Sequence, residues 1–291
     1  MSKIIFFGNE QLAQGIKAQT PIFDALIARH YDICAIVLPA ARLRKPFVIA
    51  QRAAALQIPI HYVASAREIP AITRQYQADL GVLAAFGKII PQDTIDSFPC
   101  GIVNVHPSLL PRYRGTTPIE TALLNHDTTT GVSIMRLTAQ MDAGPILAQK
   151  SLPIPADATK QALYESLAQL GAQLLIDVLP GVLAKNAPEK PQDDTEATFT
   201  TKLNKDLSEL KFAQKAAQRL ADEVRAYAGF PKSKTILLGT PCTITAAHAA
   251  PVAQTELDQL CADQQYLVID RLLPANSKEM DAKSFLNGFK H

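Results

Sequence analysis

Short apolar runs punctuate the first half of the chain at residues 4–7, 33–38, 80–85, 102–105 and 132–137, with helical stretches at 11–29, 47–56 and 117–125 between them. Strands alternating with helices bury both faces of a sheet when each helix crosses over between parallel neighbours. The alternation predicts an α/β fold: a Rossmann-like, doubly wound, mainly parallel sheet. Gly8-Asn9 closes the first run like the turn of a nucleotide-binding fold, but no G-x-G-x-x-G follows, so dinucleotide binding gains no support.

Thr159 is a plausible N-cap for a long helix, with Leu163, Leu167, Leu170, Leu174, Leu175 and Val178 at three- and four-residue spacing until Pro180-Gly181. Residues 187–198 lose apolar content and gain Pro and charge, the composition of an interdomain linker. Beyond it, 206–227 reads as a helix with one apolar face, and short strand-like runs follow at 235–238, 242–246 and 267–273, broken by Gly239-Thr240-Pro241 and Pro274. Such short strands predict a small β-barrel. The expected organisation is a catalytic domain over 1–184, a linker over 185–205 and a C-terminal barrel over 206–291.

Length and composition leave room for this: 291 residues, 47% of them hydrophobic, suit one large domain or two smaller ones. A net charge of +2 means that a nucleic-acid partner would have to be met by a local basic patch. Cys34, Cys100, Cys242 and Cys261 lie far apart, with no Cys-x-x-Cys pair and no zinc-finger His spacing, so neither a disulfide framework nor a metal site is expected. The chain shows no signal-peptide pattern at its start and no apolar run approaching the ~18 residues of a membrane span, which sets a cytoplasmic monomer without membrane contact as the expectation.

The candidate site lies at the end of the run 101–106. Its polar residues, Asn104 and His106, appear only at the carboxyl end, where α/β sheets place their chemistry, and Pro107 stops the strand. Residues two apart on a strand share a face, so both side chains address one volume. An Asp142-Ala143-Gly144 turn supplies a carboxylate. Asn104 and His106 offer hydrogen-bond donors to a developing oxyanion, and Asp142 is placed to orient His106.

The residues Asn104-Val105-His106, Ser108 to Gly115 (reading Ser-Leu-Leu-Pro-Arg-Tyr-Arg-Gly), Thr117-Pro118-Ile119 and Asp142-Ala143-Gly144 resemble the 10-formyltetrahydrofolate-dependent formyltransferases. Residues 84–91, 202–205 and 278–288 extend the likeness over nearly the whole chain, which is similar to the methionyl-tRNA formyltransferase family. Two stretches depart from that family: Gly8-Asn9-Glu10 stands where Gly-Thr-Pro is usual and the basic loop over 39–46 is shortened, while Gly229-Phe230-Pro231 replaces Pro-Trp-Pro in a chain without tryptophan.

The resemblance implies formyl transfer from 10-formyltetrahydrofolate, without a metal, to the amino group of methionine on initiator tRNA, with Asn104, His106 and Asp142 as the catalytic residues. It implies a pterin site walled by Phe86, Gly87, Ser108, Leu109, Leu110 and Pro111. Phosphate or terminal-adenosine contacts fall to Arg42, Arg44, Lys45, Arg112 and Arg114, and RNA contact to the C-terminal barrel, which the resemblance implies to be open and OB-like. Sugar and glycinamide-ribonucleotide formyltransferases share the central Asn, His and Asp, so a formyltransferase acting on a small or sugar amine stays open. A tRNA- or folate-binding protein without turnover is the non-enzyme alternative.

Overall fold

A computed structural model describes residues 2–40 and 47–288. The chain opens with β1 (Lys3–Phe7), α1 (Pro21–Ala28), β2 (Asp32–Pro39), α2 (Val48–Ala55), β3 (Ile60–Val63), α3 (Ile69–Tyr76) and β4 (Leu80–Leu83). It continues through α4 (Gln92–Asp96), β5 (Ile102–His106), α5 (Pro118–Leu124), the hairpin β6 (Thr129–Arg136) and β7 (Ile146–Pro153), and α6 (Lys160–Leu183). These strands form one sheet in the order β3-β2-β1-β4-β5-β6-β7. The first five are parallel, as the alternation predicted, while β6 runs antiparallel to β5 and β7 antiparallel to β6.

The order reverses between β1 and β4: β2 and β3 extend to one side of β1, and β4 and β5 to the other. Crossovers on opposite faces leave a crevice at the carboxyl ends of the strands at such a switch point. Apolar residues cover both faces of the sheet. Ile4, Phe6, Val103 and Val105 pack with α1 and α6, and Ile5, Phe7, Ile102 and Val37 pack on the other side.

Each main helix has a local cause. Thr159 caps α6 by accepting the Ala162 N–H, and the buried stripe Leu163, Leu167, Gly171, Leu175, Leu179 lies on the sheet. Gly171 admits the closest approach: a Cβ there would sit 2.8 Å from Val105 Cγ1. The helix runs through Pro180 to Leu183 instead of stopping at it, and ends where the main-chain carbonyls of Pro180 and Gly181 are taken up by Ala184, Asn186 and Ala187 N–H groups. Long and apolar enough to cross a bilayer, α6 is here the central core helix, packed on α1, α5, β5, β6 and β7. The helix expected over 11–29 is confined to Pro21–Ala28: Pro21 opens it, and the buried Glu10 carboxylate accepts the N–H groups of Ile22 and Phe23.

The second unit comprises α7 (Ala217–Ala226), β8 (Ser233–Leu237), β9 (Thr240–Ala250), β10 (Gln259–Leu260), β11 (Tyr266–Pro274), β12 (Met280–Asp281) and α8 (Ala282–Gly288). Its antiparallel strands run β10-β11-β9-β8, with β12 on β11, and curl as a small open barrel around a core containing Leu220, Val224, Ile244, Ile269 and Phe285. The helix expected over 206–227 shortens to α7, preceded by two 3-10 turns.

The two units meet along a seam of mixed character: Ala226 and Tyr227 are buried in the core of the first unit with Phe230 packed against it, and polar groups cross beside them. Arg225 donates to the Ala156 carbonyl at 2.6 Å, Arg219 to the Leu124 carbonyl, and the Lys160 ammonium to the carbonyls of Gln14 (2.6 Å) and Phe230 (3.3 Å). Gly15 and Gly229, both left-handed at φ +72° and +77°, lie backbone to backbone: a Cβ on Gly229 would fall 1.9 Å from the Gly15 carbonyl oxygen. Residues 185–205 do not hang free as a polar linker would. Lys190 and Ile146 exchange two main-chain hydrogen bonds of 2.8 Å, and Thr198 and Thr200 pair with residues 111–114.

Candidate active site

The parity of β5 divides its side chains: Val103 and Val105 enter the core under α6, while Asn104 and His106 project from the other face at the carboxyl end. Both are buried, 6% and 4% exposed. His106 Nε2 lies 3.0 Å from the Tyr113 carbonyl oxygen. A carbonyl only accepts, so this nitrogen carries a proton, and Nδ1 is the one turned toward Asp142 Oδ1, 3.8 Å away. Asn104 Nδ2 donates to the same oxygen at 3.4 Å, and Asp142 Oδ2 accepts the Gly115 N–H at 2.8 Å. The three residues singled out by spacing therefore converge.

Backbone conformations that side chains rarely adopt cluster around this group. Ala85, Tyr113 and Asp142 have φ of 54°, 62° and 50°, and Gly87 and Gly115 of 69° and 121°. For Ala85, Tyr113 and Asp142 this costs on the order of 1–3 kcal/mol each and persists because the surroundings fix it, and such strain clusters at functional sites; the two glycines adopt it freely. A side chain at Gly115 would be strained at φ +121°, and its Cβ, 2.3 Å from Thr200 Oγ1, would have to displace Thr200.

Asn104, His106 and Asp142 open into a cavity of about 380 Å³ at the carboxyl ends of β1, β4 and β5. Phe86, Gly87, Leu83 and Leu137 give it apolar walls, Gln11 and Gln140 add amides, and Ile89 and Met141 form an exposed apolar rim. Its volume falls within the ~300–1,000 Å³ of small-molecule sites.

Phe86 and Gly87 thus stand where the sequence placed them, in the cavity wall. Ser108, Leu109, Leu110 and Pro111 do not: the lining passes from Pro107 to Gly115. The buried Ser133 hydroxyl accepts the Leu110 N–H and donates to the Ser108 carbonyl, while Gln149 donates to the Leu110 carbonyl, drawing this loop toward β6 and β7. Leu110 packs there on Met135 and Ile146.

Arg114 is also no rim residue. It is 1% exposed and spends its guanidinium on Gln192 and Asp194. Arg112 is half-exposed, stacked on Tyr113 and paired with Asp127. Arg42, Arg44 and Lys45 lie outside the described residues. Among the described residues, no group of three or more His, Cys, Asp or Glu gathers as a metal site would. Sequence reasoning missed Gln11, Leu12, Lys88, Ile89, Thr138, Gln140 and Met141 in the lining. The switch-point rule, which places loops after β1 and β4 at the crevice, was the signal that could have found Gln11, Leu12 and Lys88.

This mixed sheet, with a cavity at its switch point and a barrel appended, is the organisation of the formyl transferases: residues 36–179 match the formyl transferase family and 202–290 its C-terminal domain. Among solved structures, WlaRD, a sugar 3N-formyl transferase, superposes with a TM-score of 0.68 over 96% of this chain and 99% of its own, at 17% identity. HypX from Aquifex aeolicus, solved in complex with tetrahydrofolic acid, gives 0.68 over 99% of this chain and 47% of its own, at 15% identity. These two establish the shared fold. The methionyl-tRNA formyltransferase of Latilactobacillus sakei is 32% identical over 99% of this chain and 95% of its own, and that of Methylococcus capsulatus 35% over 98% and 96%. The chain belongs to the methionyl-tRNA formyltransferase family.

Proposed function

We propose that the protein transfers the formyl group of 10-formyltetrahydrofolate to the amino group of methionine on initiator tRNA, in the cytoplasm, at the start of translation. The observation that carries the reading is the meeting of Asn104, His106 and Asp142 at the mouth of a mainly apolar cavity in a chain related end to end to methionyl-tRNA formyltransferases. Residues 1–184 hold the chemistry, and residues 206–291 contact the RNA.

The amine nitrogen attacks the formyl carbon, forming the new C–N bond and a tetrahedral oxyanion. Asn104 Nδ2 and the His106 imidazole supply the hydrogen-bond donors to that oxygen; such preorganised donors act where charge develops in a water-poor site. Asp142, fixed by Gly115 N–H and Asn104, holds the imidazole in place and accepts the proton released by the amine. Collapse breaks the bond to N10 of the folate, which takes the proton held by Asp142 and leaves as tetrahydrofolate. Phe86 and Gly87 flank the pterin. Arg42, Arg44, Lys45 and the half-exposed Arg112 supply phosphate contacts, whereas Arg114 is withdrawn from that role by its burial.

The test is formyl transfer to Met-charged initiator tRNA beside free methionine, an amino sugar and glycinamide ribonucleotide. Transfer confined to the charged tRNA is expected; transfer only to a small amine overturns the substrate. Asn104→Ala and His106→Ala should each lower kcat about 10²–10³-fold without unfolding the protein. Full activity in either removes that residue from the mechanism.

A further inference from the structure

The segment joining the two units carries a side chain that reaches the turn of the catalytic carboxylate. Gln192 Nε2 donates to the main-chain oxygens of Asp142 at 2.8 Å and Gly144 at 2.7 Å, clasping the turn from both sides. Gln192 Oε1 accepts from Arg114 Nε at 3.1 Å and Nη2 at 2.9 Å. The amide has no freedom to flip, because a guanidinium only donates and the two carbonyls only accept. Arg114, buried and further anchored on Asp194 Oδ1 at 2.7 Å, fixes the orientation.

The clasped turn needs such support. Asp142 is left-handed, and Gly144 lies so close to the preceding strand that a Cβ would meet the Arg136 carbonyl oxygen at 1.9 Å. Among the described residues, the carboxylate itself is held by hydrogen bonds from the Gly115 main-chain N–H and Asn104 Nδ2, with His106 Nδ1 3.8 Å away. The geometry points to Gln192, oriented by Arg114, as a positioning residue for Asp142, so that the interdomain segment is part of the catalytic apparatus. The catalytic meaning rests on the proposed function; the structural coupling does not.

Gln192→Glu separates this role from mere anchoring. It preserves shape and keeps, with added charge, both acceptor contacts to Arg114, but turns an oxygen toward the two carbonyls in place of the donating nitrogen. The first readout needs no substrate: exchange of the Gly115 amide hydrogen, which is protected by Asp142 Oδ2, against that of Thr200, which donates to the Arg114 carbonyl and reports the docking of the segment. The second is kcat and KM for formyl transfer.

Gly115 should exchange on the order of tenfold faster, the loss of one charge-assisted hydrogen bond, while Thr200 keeps its protection and the unfolding midpoint holds. kcat should drop up to about 10²-fold, as for misplacement by roughly an ångström, with KM for the formyl donor little changed. Unaltered Gly115 exchange, or equal loss of protection at Gly115 and Thr200, would overturn the assignment, the second by showing that Gln192 only fastens the segment. Accelerated Gly115 exchange in a protein whose wild type transfers no formyl group would leave the positioning intact and refute the proposed function instead.

Discussion

Replacing Lys160 by methionine probes the most heavily buried ion pair among the described residues. Lys160 and Glu120 are 1% and 0% exposed, with Nζ 3.7 Å from Oε1. Glu120 Oε1 also accepts the Gln14 N–H, and Oε2 has no partner. Burial pushes the Glu120 carboxyl above its ordinary range and the Lys160 ammonium down to about 8, each against the attraction of the other. Lys160→Met leaves a buried carboxylate with one N–H for company. Removing one member of such a pair costs about 3–5 kcal/mol, a large share of the ~5–15 kcal/mol that holds a domain together, and lowers Tm on the order of 10 °C.

The pH dependence has a definite sign. A carboxyl whose folded-state pKa is raised favours the fold while protonated, so its contribution is complete below the unfolded value of 4.5 and is lost as pH rises through the folded one. The deficit of Lys160→Met should therefore be largest near pH 7 and shrink on acidification toward pH 5, a window of roughly two units in which Lys160 of the wild type stays mostly charged. Adding Glu120→Gln should restore at least half of the loss by removing the unpaired charge. Urea unfolding at both pH values measures all three variants. A loss under about 1 kcal/mol at pH 7, or one that deepens on acidification, would refute the reasoning.

Ser133→Ala strips a fully buried hydroxyl from Leu110 N–H, Gln149 and the Ser108 carbonyl, and should cost about 1–3 kcal/mol by denaturant titration; a change below ~0.5 would show that water replaces it. Burial pushes the Glu10 carboxyl up to about 8 against the two backbone N–H groups it accepts, so its contribution to stability is present below 4.5 and is lost as pH rises through 8. Glu10→Gln should flatten that slope, and an unchanged midpoint-against-pH curve would exclude Glu10 as its source. Gly115→Ala must bear a φ of +121° and displace Thr200, which should cost roughly 1–3 kcal/mol and lower formyl transfer by disturbing the amide that holds Asp142; wild-type kcat and Tm would contradict this.

Much of the candidate site was legible because strand parity is a rigid rule: Asn104 and His106 had to share a face once 102–105 was a strand. The parallel half of the sheet followed from its apolar runs. The direction of β6 did not, since one apolar pattern serves a strand in either sense, and β3 and β7 escaped notice because half-exposed edge strands lack such a run. Arg114 and Gln192 were hidden by their own chemistry. An arginine and a Pro-rich charged stretch read as surface, and only their mutual hydrogen bonds take them inside.

The seam at Gly15 and Gly229 joins main chain to main chain, with the Lys160 ammonium reaching a carbonyl on either side. Side chains share the joint, since Ala226, Tyr227 and Phe230 pack into the core of the first unit, but either glycine gaining a methyl would wedge the halves apart whatever the side chains around it. A substrate that touched barrel and cavity together would meet them at the separation and angle this joint holds.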